Sequence, residues 1–177
     1  EDPIGKPDKW KKLDFKDDKY ISSSYQDYTK WEKLILPGSF DNVFETNDFD
    51  GAILFEKSFS LKEVKGDYTL NLGPISDMEF TYINGEKIGS SLGKKSLANK
   101  SYKIPKNLLK TGQNSIIIKV INQYNEGKVG EISLNNSLGA NASLNGIWNY
   151  KVIAEVYNQF NEKEQTWPYY SFYLYED

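Results

Sequence analysis

One short motif in the chain has the residue types of a hydrolytic nucleophile. The stretch GSSLG at 89–93 matches the pattern G-x-S-x-G, with Ser91 at the position of the attacking hydroxyl. That chemistry needs a strand, a sharp turn and a helix around the serine, together with a histidine as general base. The chain contains no histidine, and no helical pattern follows the motif. We therefore expect a polar loop here rather than a catalytic serine.

Paired carboxylates are the other route to hydrolysis, since glycosidases place two carboxyl groups about 5–10 Å apart across a sugar. Seven acidic residues between positions 17 and 50 fall in predicted loops, where a solvated surface is the simpler interpretation: Asp17, Asp18, Asp27, Asp41, Glu45, Asp48 and Asp50. Structural calcium is an open alternative, because calcium accepts carboxylate and carbonyl oxygens in irregular geometry. No D-x-D-x-D-G loop and no phosphate-binding glycine motif is present, so we expect no cofactor and no metal.

The composition excludes several other functions. The 177 residues include no cysteine, which rules out disulfides and thiol nucleophiles. All 22 basic residues are lysine and the net charge is −3, so the arginine fork that reads phosphates and guanine is missing. We expect no nucleic-acid partner and, because no apolar run reaches about 18 residues, no membrane insertion. The first residue is Glu1, which we interpret as the start of a mature or excised form.

Aromatic residues are the positive signal in the composition, with 13 Tyr, 9 Phe and 4 Trp. Aromatic side chains suit β-strands and bury large areas, so a β-rich core is the general interpretation. Stacking of exposed rings on sugars is the alternative.

The elements that would position any site are short strands separated by turns. We predict strands at 31–36, 52–61, 67–73, 78–84, 85–90, 101–104, 114–122, 131–134, 146–157 and 169–175. One or two helical turns are predicted at 105–112, and residues 1–30 read as a polar segment that wraps around the body. Together these elements predict one all-β domain over 1–177, an antiparallel β-sandwich with one short helix.

The turn at Asn84-Gly85 is the strongest local prediction. An Asn-Gly pair supplies the two positive-φ residues of a type I′ hairpin turn. The strand before it alternates at Met78, Phe80 and Tyr82, and we expect this face to lie in the core. The rings of Phe80 and Trp148 and the side chain of Ile118 are expected to pack between the two layers of strands.

Four segments in order resemble a known family. They are WEKLILPGSF followed by FDGAILFEKSFSL (31–61), LNLGPISDMEFTYINGEKIG (70–89), YKIPKNLLKTGQNSIIIKV (102–120) and LNGIWNYKV (144–152). This pattern resembles the galactose-binding-domain-like jelly roll, over roughly residues 31 to 175. That fold occurs as the sugar-binding domain of family-two glycoside hydrolases and as the domain inserted into sialate O-acetylesterases. The tryptophan strand at 147–152 and the closing WPYYSFYLYED are similar to the acetylesterase version.

The resemblance implies a non-catalytic, secreted accessory module of a carbohydrate-active hydrolase. Such a module packs against the parent catalytic domain, contacts glycan, and is expected to be extracellular or periplasmic in a bacterium. The family's catalytic serine and histidine lie outside this domain. A purely structural packing module is the second hypothesis, and an enzyme that acts through Ser91 is the third. We interpret six residues as scaffold: Asp77, Asn84, Gly85, Gly112, Asn114 and Trp148.

Candidate sugar contacts are polar and aromatic residues on predicted loops or near the chain ends. They are Tyr124, Asn125, Trp167 and Tyr169, with Trp10 as an outlying candidate. Aromatic faces meet the C–H face of a pyranose, while amides bond its hydroxyls. For each ring, packing in the core or between domains is the more common role.

Overall fold

The computed structural model describes residues 18–25, 27–43, 49, 51–92, 95–122 and 126–155. Within these ranges the chain forms twelve strands and one helical turn, α1 (Asp18–Ile21). The strands are β1 (Glu32–Leu36), β2 (Gly38–Ser39), β3 (Gly51–Leu61), β4 (Tyr68–Leu72), β5 (Met78–Ile83), β6 (Glu86–Leu92), β7 (Lys100–Ile104), β8 (Gly112–Asn122), β9 (Lys128–Val129), β10 (Ile132–Asn136), β11 (Asn141–Ser143) and β12 (Gly146–Glu155). A 3-10 turn covers Asp41–Val43.

Two antiparallel sheets make up the body. The six-stranded sheet has the order β1-β12-β3-β8-β5-β6, and the four-stranded sheet has the order β11-β10-β4-β7. A short third sheet pairs β2 with β9. The longest pairing joins β3 to β8 from Gly51↔Asn122 to Leu61↔Gly112. The predicted all-β antiparallel sandwich is therefore confirmed. In the described part of the chain, no helix is long and apolar enough to cross a membrane.

The core lies between the six-stranded and four-stranded sheets. Ile53, Phe55 and Trp148 come from the first sheet and pack in one cluster with Leu70 and Leu134 of the second. Each such side chain stabilises the fold by about 1.5–3 kcal/mol when it is fully buried. The indole of Trp148 is fully buried and donates a 2.9 Å hydrogen bond to the Leu144 carbonyl. The predicted core positions of Trp148 and Ile118 are confirmed.

The β5–β6 hairpin turns at the predicted residues. Asn84 and Gly85 have φ of 49° and 91°, as a type I′ turn requires. The Asn84 amide nitrogen also donates to the Leu108 carbonyl at 2.6 Å, and its oxygen accepts the Ser115 amide at 2.9 Å. Asn114 accepts from Asn84 at 2.9 Å. These contacts give Asn84 and Asn114 the structural role expected of them, and Asn84, Gly85 and Asn114 also line a cavity described below.

The predicted core face of β5 is wrong. Glu79, Thr81 and Ile83 lie between the sheets, while Met78 and Tyr82 pack in separate clusters on the outer face of the six-stranded sheet. Phe80 lies on that outer face as well. The outer face is itself covered, so β5 carries large apolar residues there and its alternation does not reveal which side faces the other sheet.

The predicted helical turns at 105–112 are also wrong. The segment forms a single turn, in which the Leu108 amide donates to the Pro105 carbonyl at 2.9 Å. The short helix α1 lies instead within the polar N-terminal segment. The predicted strand at 169–175 lies outside the described residues.

Candidate functional site

The residues predicted to contact sugar are not among those that the structure describes. Tyr124, Asn125, Trp167, Tyr169 and Trp10 all lie outside the described ranges. Their roles stay predictions, and the site below is built from other residues.

Residues 18–25 and 27–31, here called the N-terminal cover, lie over the outer face of the six-stranded sheet. Ile21 and Trp31 pack there against Leu54 of β3 and Ile117 of β8. The rings of Tyr25 and Tyr28 meet edge to face with centroids 5.1 Å apart. Tyr28 and Trp31 do the same at 5.1 Å, and each such aromatic contact adds about 0.5–1.5 kcal/mol beyond its burial. The cover is therefore packed onto the sheet by aromatic contacts.

Beneath this cover lies a buried carboxylate, Glu56, which is 0 % exposed. Its Oε1 accepts hydrogen bonds from Ser58 Oγ at 2.8 Å and Ser115 Oγ at 3.3 Å, and its Oε2 accepts from Asn149 Nδ2 at 2.7 Å. Burial lowers the pKa of Lys57, and the nearby Glu56 charge opposes that change. The sequence placed Glu56 on the polar face of β3. The local pattern does not reveal its burial, because two of its three donors come from strands that are distant in sequence.

A cavity of about 120 Å³ opens between the N-terminal cover and the tip of the β5–β6 hairpin. The cover contributes Ile21, Tyr25 and Tyr28, and the sheet side contributes Ser58, Ser115 and Gln113 among others. Burial raises the pKa of Tyr28, a hydrogen bond with Ser115 opposes that rise, and the Glu56 charge adds to it. The phenol of Tyr28 therefore stays protonated at neutral pH, and it donates to the Tyr25 carbonyl at 3.1 Å.

Glycine at position 85 allows the hairpin and the N-terminal cover to approach each other closely at this cavity. A Cβ added to Gly85 would lie 2.6 Å from the backbone nitrogen of Ser23 in the N-terminal cover. Only glycine combines the positive φ of the hairpin turn with so close an approach of the two segments.

A second buried carboxylate, Glu79, lies inside the sandwich and is also 0 % exposed. Thr81 Oγ1 donates to its Oε2 at 2.6 Å, and Ser91 Oγ donates to its Oε1 at 3.1 Å. The Tyr102 hydroxyl, from the other sheet, also donates to Oε1. Burial and the hydrogen bond to Glu79 raise the pKa of Tyr102. Glu79 thus accepts from three hydroxyl groups.

Ser91 does not stand in the predicted loop. It lies within strand β6, and its hydroxyl proton points to Glu79 rather than towards a substrate. Glu56 and Glu79 lie on opposite faces of the six-stranded sheet, so these two carboxylates do not flank one substrate as in a glycosidase. Asp41 accepts a 2.6 Å hydrogen bond from the Gly127 amide. Across the described ranges, no three His, Cys, Asp or Glu residues form a group that could hold a metal.

A second cleft, of about 220 Å³, lies beside the β1–β12 pair. Tyr150 donates a 2.5 Å hydrogen bond to Glu32 Oε2 at its edge. Burial and this bond to Glu32 raise the pKa of Tyr150 to about 12. Lys30 and Lys151 also line the cleft. The cleft is thus lined by one carboxylate, that of Glu32, and by two ammonium groups.

No protein-family model matches the chain, and no curated protein sequence is significantly similar to it. Solved structures are similar in fold. A Lactobacillus rhamnosus β-glucuronidase superposes with a TM-score of 0.52 at 14% identity, over 78% of this chain and 26% of that one. Two further β-glucuronidases also superpose on the chain. That of Bifidobacterium dentium gives a TM-score of 0.49 at 16% identity, over 59% of this chain and 17% of that one. That of Ruminococcus gnavus gives a TM-score of 0.46 at 20% identity, over 68% of this chain and 23% of that one.

The class that these observations define is an antiparallel β-sandwich of the kind found as one part of larger glycoside hydrolase chains. This chain spans about a quarter or less of each of the three β-glucuronidase chains named above. At these identities the likeness establishes the fold alone, and the superposition on the Lactobacillus rhamnosus β-glucuronidase carries that argument. The expected resemblance to the glycoside hydrolase sandwich is confirmed as a fold. The acetylesterase version stays a prediction.

Proposed function

We propose that this chain is a non-catalytic β-sandwich module of a carbohydrate-active hydrolase, extracellular or periplasmic in a bacterium. The superposition on 26% of a β-glucuronidase chain carries the proposal, because there the same fold forms one part of a larger hydrolase. The partners would be the parent catalytic domain and its glycan substrate. The tryptophan strand at 147–152 and the closing WPYYSFYLYED favour the domain inserted into a sialate O-acetylesterase as the particular type.

The hydrogen bonding of the buried acids supports a non-catalytic role. Glu56 and Glu79 each accept from three donors within the fold, and both are closed to solvent. A general acid or base must reach the proton that it transfers, so a carboxylate bound in this way serves the scaffold.

An interdomain packing module without a ligand of its own is the second candidate, and one surface feature favours it. Ile35 on β1 and Ile147 on β12 stand directly opposite each other on the outer face of the six-stranded sheet. They are 68% and 61% exposed. Adjacent exposed isoleucines at a sheet edge are typical of a contact with another domain.

Activity assays and glycan binding test the first proposal. We expect the purified chain to release no product from an O-acetylated sialoside or an aryl glucuronide, and to bind glycans on an array. Turnover that disappears in the Ser91→Ala variant would overturn the non-catalytic assignment.

The second candidate has its own test, which uses the catalytic domain of the parent hydrolase. If packing is the sole role, the array stays silent, and the Ile35→Ser and Ile147→Ser variants bind the catalytic domain more weakly than wild type does. Substitution of the exposed Lys33, the neighbour of Ile35 on β1, by Ser is the matched control.

A further inference from the structure

The cavity between the N-terminal cover and the β5–β6 hairpin has a particular hydrogen-bonding character. Two of the hydroxyl groups on its sheet side have their protons directed at the carboxylate of Glu56. Ser58 Oγ donates to Glu56 Oε1 at 2.8 Å and Ser115 Oγ donates to the same oxygen at 3.3 Å. A carboxylate only accepts, so it fixes the direction of both bonds. These serine oxygens keep lone pairs to offer to a ligand.

The phenol on the cover side has the same character. The Tyr28 hydroxyl donates to the Tyr25 carbonyl at 3.1 Å, which commits its only proton. The Tyr28 hydroxyl and Ser115 Oγ also share a hydrogen bond with each other. The cavity therefore offers the lone pairs of Ser58, together with those that Tyr28 and Ser115 do not use between themselves. A ligand with several O–H donors satisfies these acceptors. An anion would be repelled by the lone pairs and by the nearby charge of Glu56.

The opening of the cavity supplies donors. Lys110 precedes β8 and Gln113 is the second residue of β8; both are exposed and both line the cavity. The ammonium of Lys110 donates only, and the amide of Gln113 both donates and accepts. A second cation near Lys110 is disfavoured by charge repulsion. With donors at its opening and acceptors inside, the cavity fits a neutral ligand whose hydroxyl groups both donate and accept hydrogen bonds.

The size of the cavity limits the occupant. About 120 Å³ equals the liquid volume of about four water molecules at ~30 Å³ each. That space admits one edge of a single pyranose, and any further sugar residue would lie outside it. Ile21 and the two tyrosines give it an apolar wall, as the C–H groups of a sugar require.

We propose that this cavity binds the hydroxyl-bearing edge of one sugar residue, at the end of a glycan chain. The choice of a sugar among hydroxyl-rich molecules rests on the proposed function. The donor and acceptor pattern rests on the geometry alone.

An NMR titration of the full chain tests the proposal. The probes are the methyl glycosides of galactose, glucose and N-acetylneuraminic acid, with calcium chloride as a separate arm. We expect saturable shifts in the backbone amides of Ser23, Gly85 and Ser115 with at least one glycoside. The Tyr28→Phe variant keeps the ring and loses one acceptor, so its affinity should fall by about 3- to 10-fold. Gln113→Ala should weaken binding to a similar degree.

Tyr68→Phe is the matched control, because Tyr68 is a buried tyrosine on β4 of the four-stranded sheet. Its affinity should equal that of wild type. Gln113 is an exposed side chain, so its variant tests the cavity even if Tyr28→Phe alters the fold.

Two groups of results would overturn the proposal. Glycoside binding that is unchanged in both Tyr28→Phe and Gln113→Ala places the sugar elsewhere, and the proposed function then stands without this site. No binding of any glycoside, or shifts with calcium chloride alone, also rejects the cavity as a sugar site. In those cases the array and the catalytic-domain experiment still decide the proposed function separately.

Discussion

The hydroxyl of Tyr102, on β7, donates a hydrogen bond to Oε1 of Glu79, on β5, and so joins the two sheets of the sandwich. Lys100 lies near the same acid, and its ammonium donates to the carbonyls of Ser96 at 2.6 Å and Ala98 at 3.2 Å. Burial lowers the pKa of Lys100, and the Glu79 charge opposes that change. A polar contact thus joins the two sheets inside the sandwich.

Removal of the Tyr102 hydroxyl should destabilise the fold. Tyr102→Phe leaves Glu79 with two donors in place of three, and a hydrogen bond to a charged group contributes about 1.5–3 kcal/mol. We expect the free energy of unfolding in urea to fall by that amount. Tyr68→Phe is the control, since its long 3.5 Å contact to the Glu63 carbonyl contributes little. Equal stability of the two variants would contradict a bridging role for Tyr102.

The stability of the protein should fall at high pH. The pKa of Tyr150 is raised from 10.0 to about 12 in the folded state. Between these values the unfolded chain has lost the proton that the folded chain keeps, so the unfolded state is favoured progressively. The contribution of Tyr150 is thus fully present below pH 10 and is lost as the pH rises towards 12. Urea unfolding at several pH values measures it, and Tyr150→Phe should make that decline shallower. A decline of unchanged steepness in the variant would reject this cause.

Gly85→Ala should loosen the N-terminal cover. The new Cβ would lie 2.6 Å from Ser23 N, and the residue would keep a φ of 91°. Gly112→Ala is a matched control, because Gly112 has a φ of 89° with nothing within 4 Å of the added Cβ. A left-handed conformation costs about 1–2 kcal/mol for alanine in both variants.

Only the Gly85 substitution should also expose Trp31 of the cover, which a red shift of tryptophan fluorescence in the native state would report. An equal loss of stability in the two variants with no such shift would show that Ser23 simply moves aside.

Truncation of two neighbouring residues of β12 should change the stability of the fold by very different amounts. Trp148→Ala empties a fully buried site and should cost about 3–5 kcal/mol in the free energy of unfolding. Ile147→Ala, on the exposed face of the same strand, should change it by less than about 0.5 kcal/mol. Thermal and urea unfolding measure both. A large loss at Ile147 would mean that this isoleucine packs within the fold and is not a free contact surface.

Local chemistry made much of the fold predictable. The Asn84-Gly85 turn follows from two adjacent residues that tolerate positive φ, and the structure places it there. Strand β3 follows from apolar residues that fall mostly on one face and β8 from a continuous apolar run, and both lie at the centre of the six-stranded sheet. The segment at 105–112 was misjudged because a proline and a glycine that suit helix ends also suit a single turn.

The candidate site depended on contacts that no local pattern contains. Asn149 is 93 positions from Glu56, and Tyr102 is 23 positions from Glu79, so the donors that make these buried carboxylates tolerable are remote in sequence. The cavity needs Gly85 and Ser23 in close approach, which requires both the hairpin and the packed cover.

The sequence by itself determined the strands, the hairpin turn and the position of Trp148, because each depends on residue type and spacing within a few positions. Only the tertiary structure decided which face of β5 lies inside, why Glu56 and Glu79 are buried, and where a cavity opens. Those features arise when distant strands pair and both faces of one sheet are covered, since burial then depends on partners that alternation along one strand does not encode.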